Sequence, residues 1–119
     1  MDLNKYIGVY PDYPSKGISF KDISPLLKEP KAFKYAIKEL AKMAKRYNPT
    51  VICGPESRAF IFGAALAEKM GVGFVMARKP GKLPGKTISE TYSLEYGEAT
   101  LFVQENAFTK EDRVLLIDD

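Results

Sequence analysis

The chain has 119 residues, of which 45% are hydrophobic and 28% charged, and its formal net charge is +3. This length suits one compact domain, and the composition is typical of folded globular proteins. The basic residues are spread along the chain without the dense stripe of a nucleic-acid-binding protein, so we expect no nucleic-acid partner. The absence of histidine excludes Ser-His-Asp and Cys-His catalysis and most imidazole metal sites.

The single cysteine and the lack of long apolar runs predict a cytoplasmic chain. Cys53 has no partner for a disulfide and no further thiols for a zinc site, which favours a reducing compartment. No apolar run reaches the roughly 18 residues of a membrane-spanning helix, and no signal-peptide pattern occurs, so we expect no membrane association. Cys53 is expected to be a small core residue.

The first regular pattern along the chain predicts a helix over residues 30–47. Lysines 34, 38, 42 and 45 fall largely off the apolar stripe of this helix and predict a solvated face. Pro49 marks its end. The stripe follows spacings of three and four and consists of Phe33, Ala36, Ile37, Leu40, Ala41, Ala44 and Tyr47.

A strand, a helix and a second strand follow in quick succession. Residues 50–54 form a short β-branched run, residues 60–70 carry a helical pattern that ends at Gly71, and residues 72–77 form a second apolar run. This order predicts a βαβ unit, which makes the two strands parallel and their connection right-handed.

The remainder of the chain predicts a loop and further strands. Residues 78–86 (RKPGKLPGK) are rich in Lys, Pro and Gly and predict an exposed loop. Residues 87–97 alternate weakly, which indicates a strand pair that lies over the sheet as a lid. Residues 101–103 and 114–117 are further strand candidates.

Three charged groups follow the predicted parallel strands. They are the segment 54–58 (GPESR), Arg78 with Lys79, and the acidic pair at 118–119. In parallel α/β sheets ligands bind at the carboxyl ends of the strands, so these groups are expected at one edge. Ser57 and Arg58 suit an anion beside a helix start, although a simple N-cap serine and a surface arginine remain the alternative. The adjacent acids require hydroxyls or a hydrated cation as partners.

Four sequence blocks carry a family resemblance. In order they are YPDYPSKGISFKDISPLL, ICGPESRAFIFG, ARKPGKLPGKTISETYSLEYG and VLLIDD, and together they closely resemble adenine phosphoribosyltransferases. The resemblance implies a type I phosphoribosyltransferase-like α/β fold: a mostly parallel sheet flanked by helices, incomplete at the C-terminus, with a small hood. It implies one truncated domain over residues 1–119, with a base-binding hood segment over 1–29 and a loop and flap over 78–97.

The activity of that family is implied as well. It transfers 5-phosphoribose from phosphoribosyl pyrophosphate to adenine, which gives AMP and pyrophosphate in purine salvage. Magnesium would be bound through the oxygens of the phosphoribosyl pyrophosphate, so no residue of this chain is assigned as a metal ligand. Besides these substrates, the resemblance implies a homodimer or a complementing C-terminal chain as the partner.

The catalytic roles implied by the resemblance fall on Glu95, Tyr96 and Arg58. Glu95 would meet the imidazole edge of adenine, where a proton leaves as N9 attacks, and Tyr96 would belong to the closing flap. The segment around Phe20 and Lys21 would form the adenine pocket, with the Phe20 ring stacking on the base and nearby backbone groups reading its edge.

The remaining substrate contacts concern the sugar-phosphate donor. Ser57 belongs, with Arg58, to a loop that often contains a non-proline cis peptide, here between Glu56 and Ser57. The phosphate charge would be neutralised by Arg78, Lys79 and Lys82, some of them across a dimer interface. The ribose hydroxyls would be held by Asp118 and Asp119.

The sequence departs from the family pattern at three places. Lys21 stands where arginine is common, and Ala59 replaces the usual glycine. The chain stops at Asp119, where the family continues into a loop that holds the 5′-phosphate, so we expect no turnover by the chain alone and an uncovered part of the sheet. Alternatives are a non-catalytic purine- or donor-binding module and a transferase for 6-oxopurines.

Overall fold

A computed structural model describes all residues from Met1 to Asp119. They form two compact units, Met1–Leu40 and Ala41–Asp119. None of the helices is both long and apolar enough to cross a membrane. After a 3-10 helix at Leu3–Tyr6, the elements are β1 Gly8–Tyr10, β2 Phe20–Asp22, α1 Ser24–Lys28, α2 Pro30–Lys45, β3 Val51–Pro55, α3 Arg58–Met70, β4 Gly73–Ala77, β5 Thr87–Leu94, β6 Gly97–Gln104 and β7 Val114–Leu116.

The first unit contains a small antiparallel pair of strands, β1 and β2. Gly8 lies opposite Asp22, and Tyr10 lies opposite Phe20. Because side chains alternate along a strand, these four residues share one face of the pair, and Lys21 lies on the other. The periodicity of the sequence did not predict these strands, since three residues are too few to establish an alternation.

Helix α2 confirms the helix predicted over residues 30–47, but it ends earlier, at Lys45. Ala36, Ile37 and Ala44 of the predicted stripe are buried, and the four lysines are exposed, as expected. The helix ends at Lys45, so Tyr47 was wrongly assigned to the stripe. Tyr47 is 48% exposed, and its ring lies 4.8 Å from the Arg46 guanidinium carbon, a cation-π contact outside the core.

The second unit is built on a sheet of three strands in the order β4-β3-β7, and both pairings are parallel. Helix α3 connects β3 to β4 and ends at Gly71, whose φ of 71° is the left-handed conformation of a helix C-cap. The predicted strand-helix-strand unit and its parallel strands are confirmed. The three strands therefore end at the same edge.

The two faces of this sheet differ. Helix α3 lies on the face of Ile52, Gly54 and Phe74, where a Cβ at Gly63 would come within 2.3 Å of the Phe74 ring. Cys53 lies on the opposite face, is 3% exposed and is a core residue as predicted; its burial raises the pKa of the thiol. On that same opposite face Leu116 is 75% exposed, so part of the sheet is uncovered, as expected.

A long antiparallel hairpin of β5 and β6 follows the exposed loop 78–86. The prediction of a strand pair within residues 87–97, separate from a strand at 101–103, was wrong, because residues 87–94 form one strand and 101–103 belong to its partner. The turn lacks the Asn-Gly signal of a tight hairpin, and Gly97, at a φ of 144°, is its only special position. Arg78 and Phe102 exchange two backbone hydrogen bonds of 2.8 Å, which tie the hairpin to the end of β4.

Candidate functional site

A polar cavity of about 370 Å³ lies at the carboxyl ends of the three parallel strands. The predicted convergence of three charged groups is therefore found, since parallel strands bring the segments that follow them to one edge. Each of the three groups contributes residues to the lining, from which only Gly54 and Arg78 of their members are missing. The lining residues are Pro55, Glu56, Ser57, Arg58, Lys79, Asp118 and Asp119.

Arg58 and Asp119 form an ion pair at this cavity. The Arg58 Nε and Asp119 Oδ2 atoms are 2.6 Å apart, and the two side chains are 52% and 18% exposed. Oδ1 of Asp118 accepts a hydrogen bond of 2.9 Å from the backbone N–H of Asp119. An ion pair with so exposed an arginine contributes little net stability. The guanidinium can consequently exchange its carboxylate partner for another anion at small cost.

Glu56 connects the end of β3 to the residues after β4. Its Oε1 atom accepts hydrogen bonds from the Lys79 backbone N–H at 2.9 Å and from Arg78 Nε at 3.2 Å. Its own N–H donates to the carbonyl of Ala77 at 2.9 Å. The Lys79 backbone hydrogen bond, followed by Arg78, holds the pKa of this carboxyl below its usual value. The sequence assigned no role to Glu56, because its partners Arg78 and Lys79 lie 22 and 23 residues away along the chain.

The three cations assigned to phosphate occupy different environments. The Arg78 side chain is 30% exposed, pairs with Glu56, and lies over the Phe60 ring with its guanidinium carbon 5.8 Å from the centroid. Lys79 lines the cavity. Lys82 is exposed in a turn that its N–H closes onto the Lys79 carbonyl at 3.3 Å. Of these three cations, only Lys79 lines the cavity.

The start of helix α3 forms another part of the cavity wall. The peptide bond between Glu56 and Ser57 is cis, as the resemblance implied. Ser57 occupies the N-cap position, but its side chain makes no capping hydrogen bond, and the first turn contains no acidic residue. The leading N–H groups of a helix have no partners within the helix and carry partial positive charge. This wall therefore favours an anion.

A second cavity, of about 340 Å³, lies within the first unit. It is lined by Tyr10, Tyr13, Phe20 and Asp22, and the Tyr13 and Phe20 rings meet edge to face with centroids 5.2 Å apart. The exposed side chain of Lys21 lies on the other face of the strand pair, so only its backbone is near the Phe20 face. We call this cavity the Phe20 pocket.

Glu95 and Tyr96 form the tip of the hairpin between β5 and β6. Tyr96 is 94% exposed, and Glu95 is exposed as well. Neither residue is among those that line the polar cavity. The roles that the resemblance implies for Glu95 and Tyr96 stay predictions.

The carboxylate oxygens of the polar cavity are possible ligands of a metal ion that is shared with a substrate. No group of three or more His, Cys, Asp or Glu side chains is placed to hold a metal ion. The cavity does contain the carboxylates of Asp118 and Asp119 beside two cations. Mg²⁺ commonly binds through one or two carboxylates together with waters and substrate phosphates, and such an ion fits this set of residues.

Comparison with known proteins identifies the family. Residues 26–119 match the model of the phosphoribosyl transferase domain. The adenine phosphoribosyltransferase of Thermosipho melanesiensis is 52% identical over 119 residues, which are all of this chain and 68% of that protein. This chain therefore spans about two thirds of the length of that relative.

Solved structures agree with this match. The crystal structure of adenine phosphoribosyltransferase from Thermoanaerobacter pseudethanolicus has a TM-score of 0.93 and 49% identity, and the match covers 98% of this chain and 68% of that one. The Giardia lamblia APRTase complexed with 9-deazaadenine has a TM-score of 0.90 and 43% identity, over 99% of this chain and 66% of that one. The type I phosphoribosyltransferase fold is thereby confirmed, and the chain belongs to the phosphoribosyltransferase family, among its adenine phosphoribosyltransferases.

Proposed function

We propose that the polar cavity binds phosphoribosyl pyrophosphate and that the Phe20 pocket binds adenine. The reaction is the one that gives the family members their name: 5-phosphoribose passes from the donor to adenine, and AMP and pyrophosphate are formed. The observation that carries the proposal is the meeting of Arg58, Lys79 and the start of α3 with the carboxylates of Asp118 and Asp119 in one cavity. The cations and the helix start suit an anionic group, and the carboxylates suit the hydroxyls of a sugar.

The charge distribution of the cavity matches the charge that develops in the reaction. As the bond between the anomeric carbon and pyrophosphate breaks, negative charge grows on the leaving group and positive charge on the sugar. Arg58, Lys79 and the partly positive helix start stabilise the leaving pyrophosphate. Asp118 and Asp119 accept hydrogen bonds from the ribose hydroxyls and favour the cationic sugar.

The residues that we assign to the base are those that the family resemblance implies. The Phe20 ring stacks on adenine, and backbone groups near Lys21 read its edge. Glu95 accepts the proton that leaves the imidazole ring of adenine as N9 attacks the anomeric carbon. Tyr96 closes over the site with the same hairpin tip and keeps water from the activated sugar.

The proposal also covers the magnesium ion, the two remaining cations and the cellular location. Asp118 and Asp119 are the side chains that would hold the hydrated face of a Mg²⁺ ion bound through the donor oxygens, and such an ion would neutralise phosphate charge. Arg78 and Lys82 also act on phosphate, either after Arg78 leaves Glu56 or across the interface of a homodimer. We propose a cytoplasmic location because purine salvage substrates are found there.

The test is conversion of radiolabelled adenine to AMP with phosphoribosyl pyrophosphate and Mg²⁺. It is run on the 119 residues alone and on a mixture with a polypeptide that carries the remaining third of a relative. We expect activity in the mixture only, because the resemblance assigns the 5′-phosphate loop to that third. Adenine binding without turnover in either sample would instead indicate a binding module, and a preference for hypoxanthine would indicate a 6-oxopurine transferase.

The substitution Arg58→Ala tests the role of a single residue in this assay. Loss of the guanidinium that stabilises the leaving pyrophosphate should lower activity about 100-fold. Arg46→Ala is the matched variant, because Arg46 is also exposed but contacts Tyr47 away from the cavity. Equal activities of the two variants would contradict the role of Arg58.

A further inference from the structure

Strand β7 leads into the acidic pair of the polar cavity, and its sequence does not define how it pairs with β3. Residues 114–117 (VLLI) are apolar in succession, and two acids follow at 118–119 (DD). A shift by one residue turns every side chain of a strand to the other face. Here such a shift would exchange apolar residues for one another at positions 115–117 and put Asp118 where Asp119 lies. Hydrophobic patterning therefore does not distinguish the two registers.

The packing of β7 also favours one register only weakly. None of residues 114–119 is fully buried, and Leu116 and Val114 are 75% and 40% exposed. In β3, by contrast, residues 51–53 are all buried. Register is weakly specified where burial does not discriminate between the faces of a strand. Another interaction is therefore needed to hold β7 in the observed register, in which Val51 lies opposite Val114.

A set of polar contacts just before β3 and β7 specifies this register. The Thr50 hydroxyl donates to Asp112 Oδ1 at 2.8 Å and accepts from the Arg113 N–H at 2.8 Å. The Thr50 N–H donates to the Arg113 carbonyl at 2.9 Å. The hydroxyl thus uses its proton and a lone pair on residues that lie 62 and 63 positions away along the chain. These bonds define which residue of the second segment stands beside Thr50.

Asp112 is itself held by the turn that precedes β7. Its Oδ2 atom accepts from the Thr109 N–H at 2.8 Å and from the Thr109 hydroxyl at 3.3 Å. The Thr109 N–H, followed by the Thr50 hydroxyl, lowers the pKa of Asp112, so the carboxylate is ionised at neutral pH. A shift of β7 by one residue would move Arg113 about 3.3 Å along Thr50 and break the bonds between the two segments.

We propose that Thr50 and Asp112 are positioning residues, which fix the register of β7 and thereby determine which acid meets Arg58. In the observed register, Asp119 Oδ2 is 2.6 Å from Arg58 Nε. A shift by one residue would bring Asp118 to that place and remove Asp119 from it. The consequence for phosphoribosyl pyrophosphate rests on the proposed function, because it needs the donor at these two acids, whereas the register itself does not.

The substitution Thr50→Val tests this role, because valine keeps the branched shape of threonine and removes the hydroxyl. Amide hydrogen exchange of the full chain, measured by NMR, reports the register. The Ile117 N–H donates to the Cys53 carbonyl at 3.0 Å, and successive N–H groups of a strand point to opposite edges, so the Leu116 N–H points away from β3. In Thr50→Val, exchange should become at least about tenfold faster at Ile117 and slower at Leu116. Thr50→Ser keeps the hydroxyl and should leave both rates unchanged.

Two further variants keep the test decisive. Thr91→Val is the matched control, because it removes a threonine hydroxyl that lies 2.8 Å from the Thr100 hydroxyl within the β5–β6 hairpin. Its exchange rates at Ile117 and Leu116 should match those of the unmodified chain. Asp112→Asn replaces one accepting oxygen by an NH₂ group, so it should change both rates in the same direction as Thr50→Val but by less. It decides the question if Thr50→Val does not fold.

The outcomes separate this inference from the proposed function. Unchanged exchange at Ile117 and Leu116 in Thr50→Val and in Asp112→Asn would overturn the positioning role. Equal acceleration at all amides of the sheet would show a general loss of stability and overturn it as well.

Affinity for phosphoribosyl pyrophosphate with Mg²⁺, measured by isothermal titration calorimetry on the same variants, completes the test. Transfer of protection from Ile117 to Leu116, together with about tenfold weaker donor binding, is the expected result. The same transfer with unaltered donor binding would support the register role and overturn the donor site at Asp118 and Asp119.

Discussion

At the scale of single residues, two ion pairs lie where the parallel strands end, Arg58 with Asp119 and Arg78 with Glu56. Arg58, Lys79 and Asp119 were expected at one edge because each follows a parallel strand, and they line one cavity. The pairing of Arg78 with Glu56 was not predicted. It depends on the short gap between the ends of β3 and β4, which only the three-dimensional arrangement specifies.

Glu56 provides a prediction at this scale. In Glu56→Ala, the Lys79 N–H loses its acceptor, so hydrogen exchange of this amide, measured by NMR, should become at least about tenfold faster. Glu56→Gln keeps an acceptor oxygen and should preserve most of the protection. The Arg78 N–H is bonded to the Phe102 carbonyl and serves as the internal reference. Equal acceleration at both amides would show a general loosening, contrary to a specific role of Glu56.

At the scale of elements, long periodic segments were predicted well and short or weakly patterned ones were not. The stripe of α2 and the β3-α3-β4 unit follow from hydrophobic spacing alone. Strands β1 and β2 were missed because three residues show no period, and the turn of the β5–β6 hairpin was missed because Glu95 and Tyr96 are not turn-forming residues. The Phe20 pocket was consequently expected only from the family resemblance.

The packing of α3 on the sheet provides a prediction for an element. In Gly63→Ala, the new Cβ would lie 2.3 Å from the ring of Phe74, so either the helix or the ring must shift. We expect a loss of about 1–3 kcal/mol in the free energy of unfolding, although alanine favours helix more than glycine does. Urea denaturation followed by circular dichroism measures this loss.

Gly73→Ala is the matched control for that substitution. A Cβ at Gly73 would have its nearest neighbour at 3.9 Å, the Cγ2 atom of Val51, which is an ordinary contact. Its free energy of unfolding should stay within about 0.5 kcal/mol of the unmodified value. Adding Phe74→Leu to Gly63→Ala should recover part of the loss, and a loss that is the same in both glycine variants would contradict the close packing of α3.

At the scale of the whole molecule, the family resemblance predicted more than periodicity did. Spacing predicted an α/β chain with parallel strands, whereas the resemblance predicted the type I fold, and the comparisons confirm it. The roles of Glu95 and Tyr96 stay predictions, because both residues are exposed at the tip of the hairpin and contact no other site residue there.

Titration of the isotopically labelled chain with phosphoribosyl pyrophosphate and Mg²⁺, followed by amide NMR, tests the proposed donor site most directly. Binding at the polar cavity should shift the signals of Ser57, Arg58, Lys79 and Asp119, and Arg58→Ala should weaken binding about tenfold or more. Signals that stay unchanged in a well-folded spectrum, or that shift only at residues outside this cavity, would contradict the assignment of the donor site.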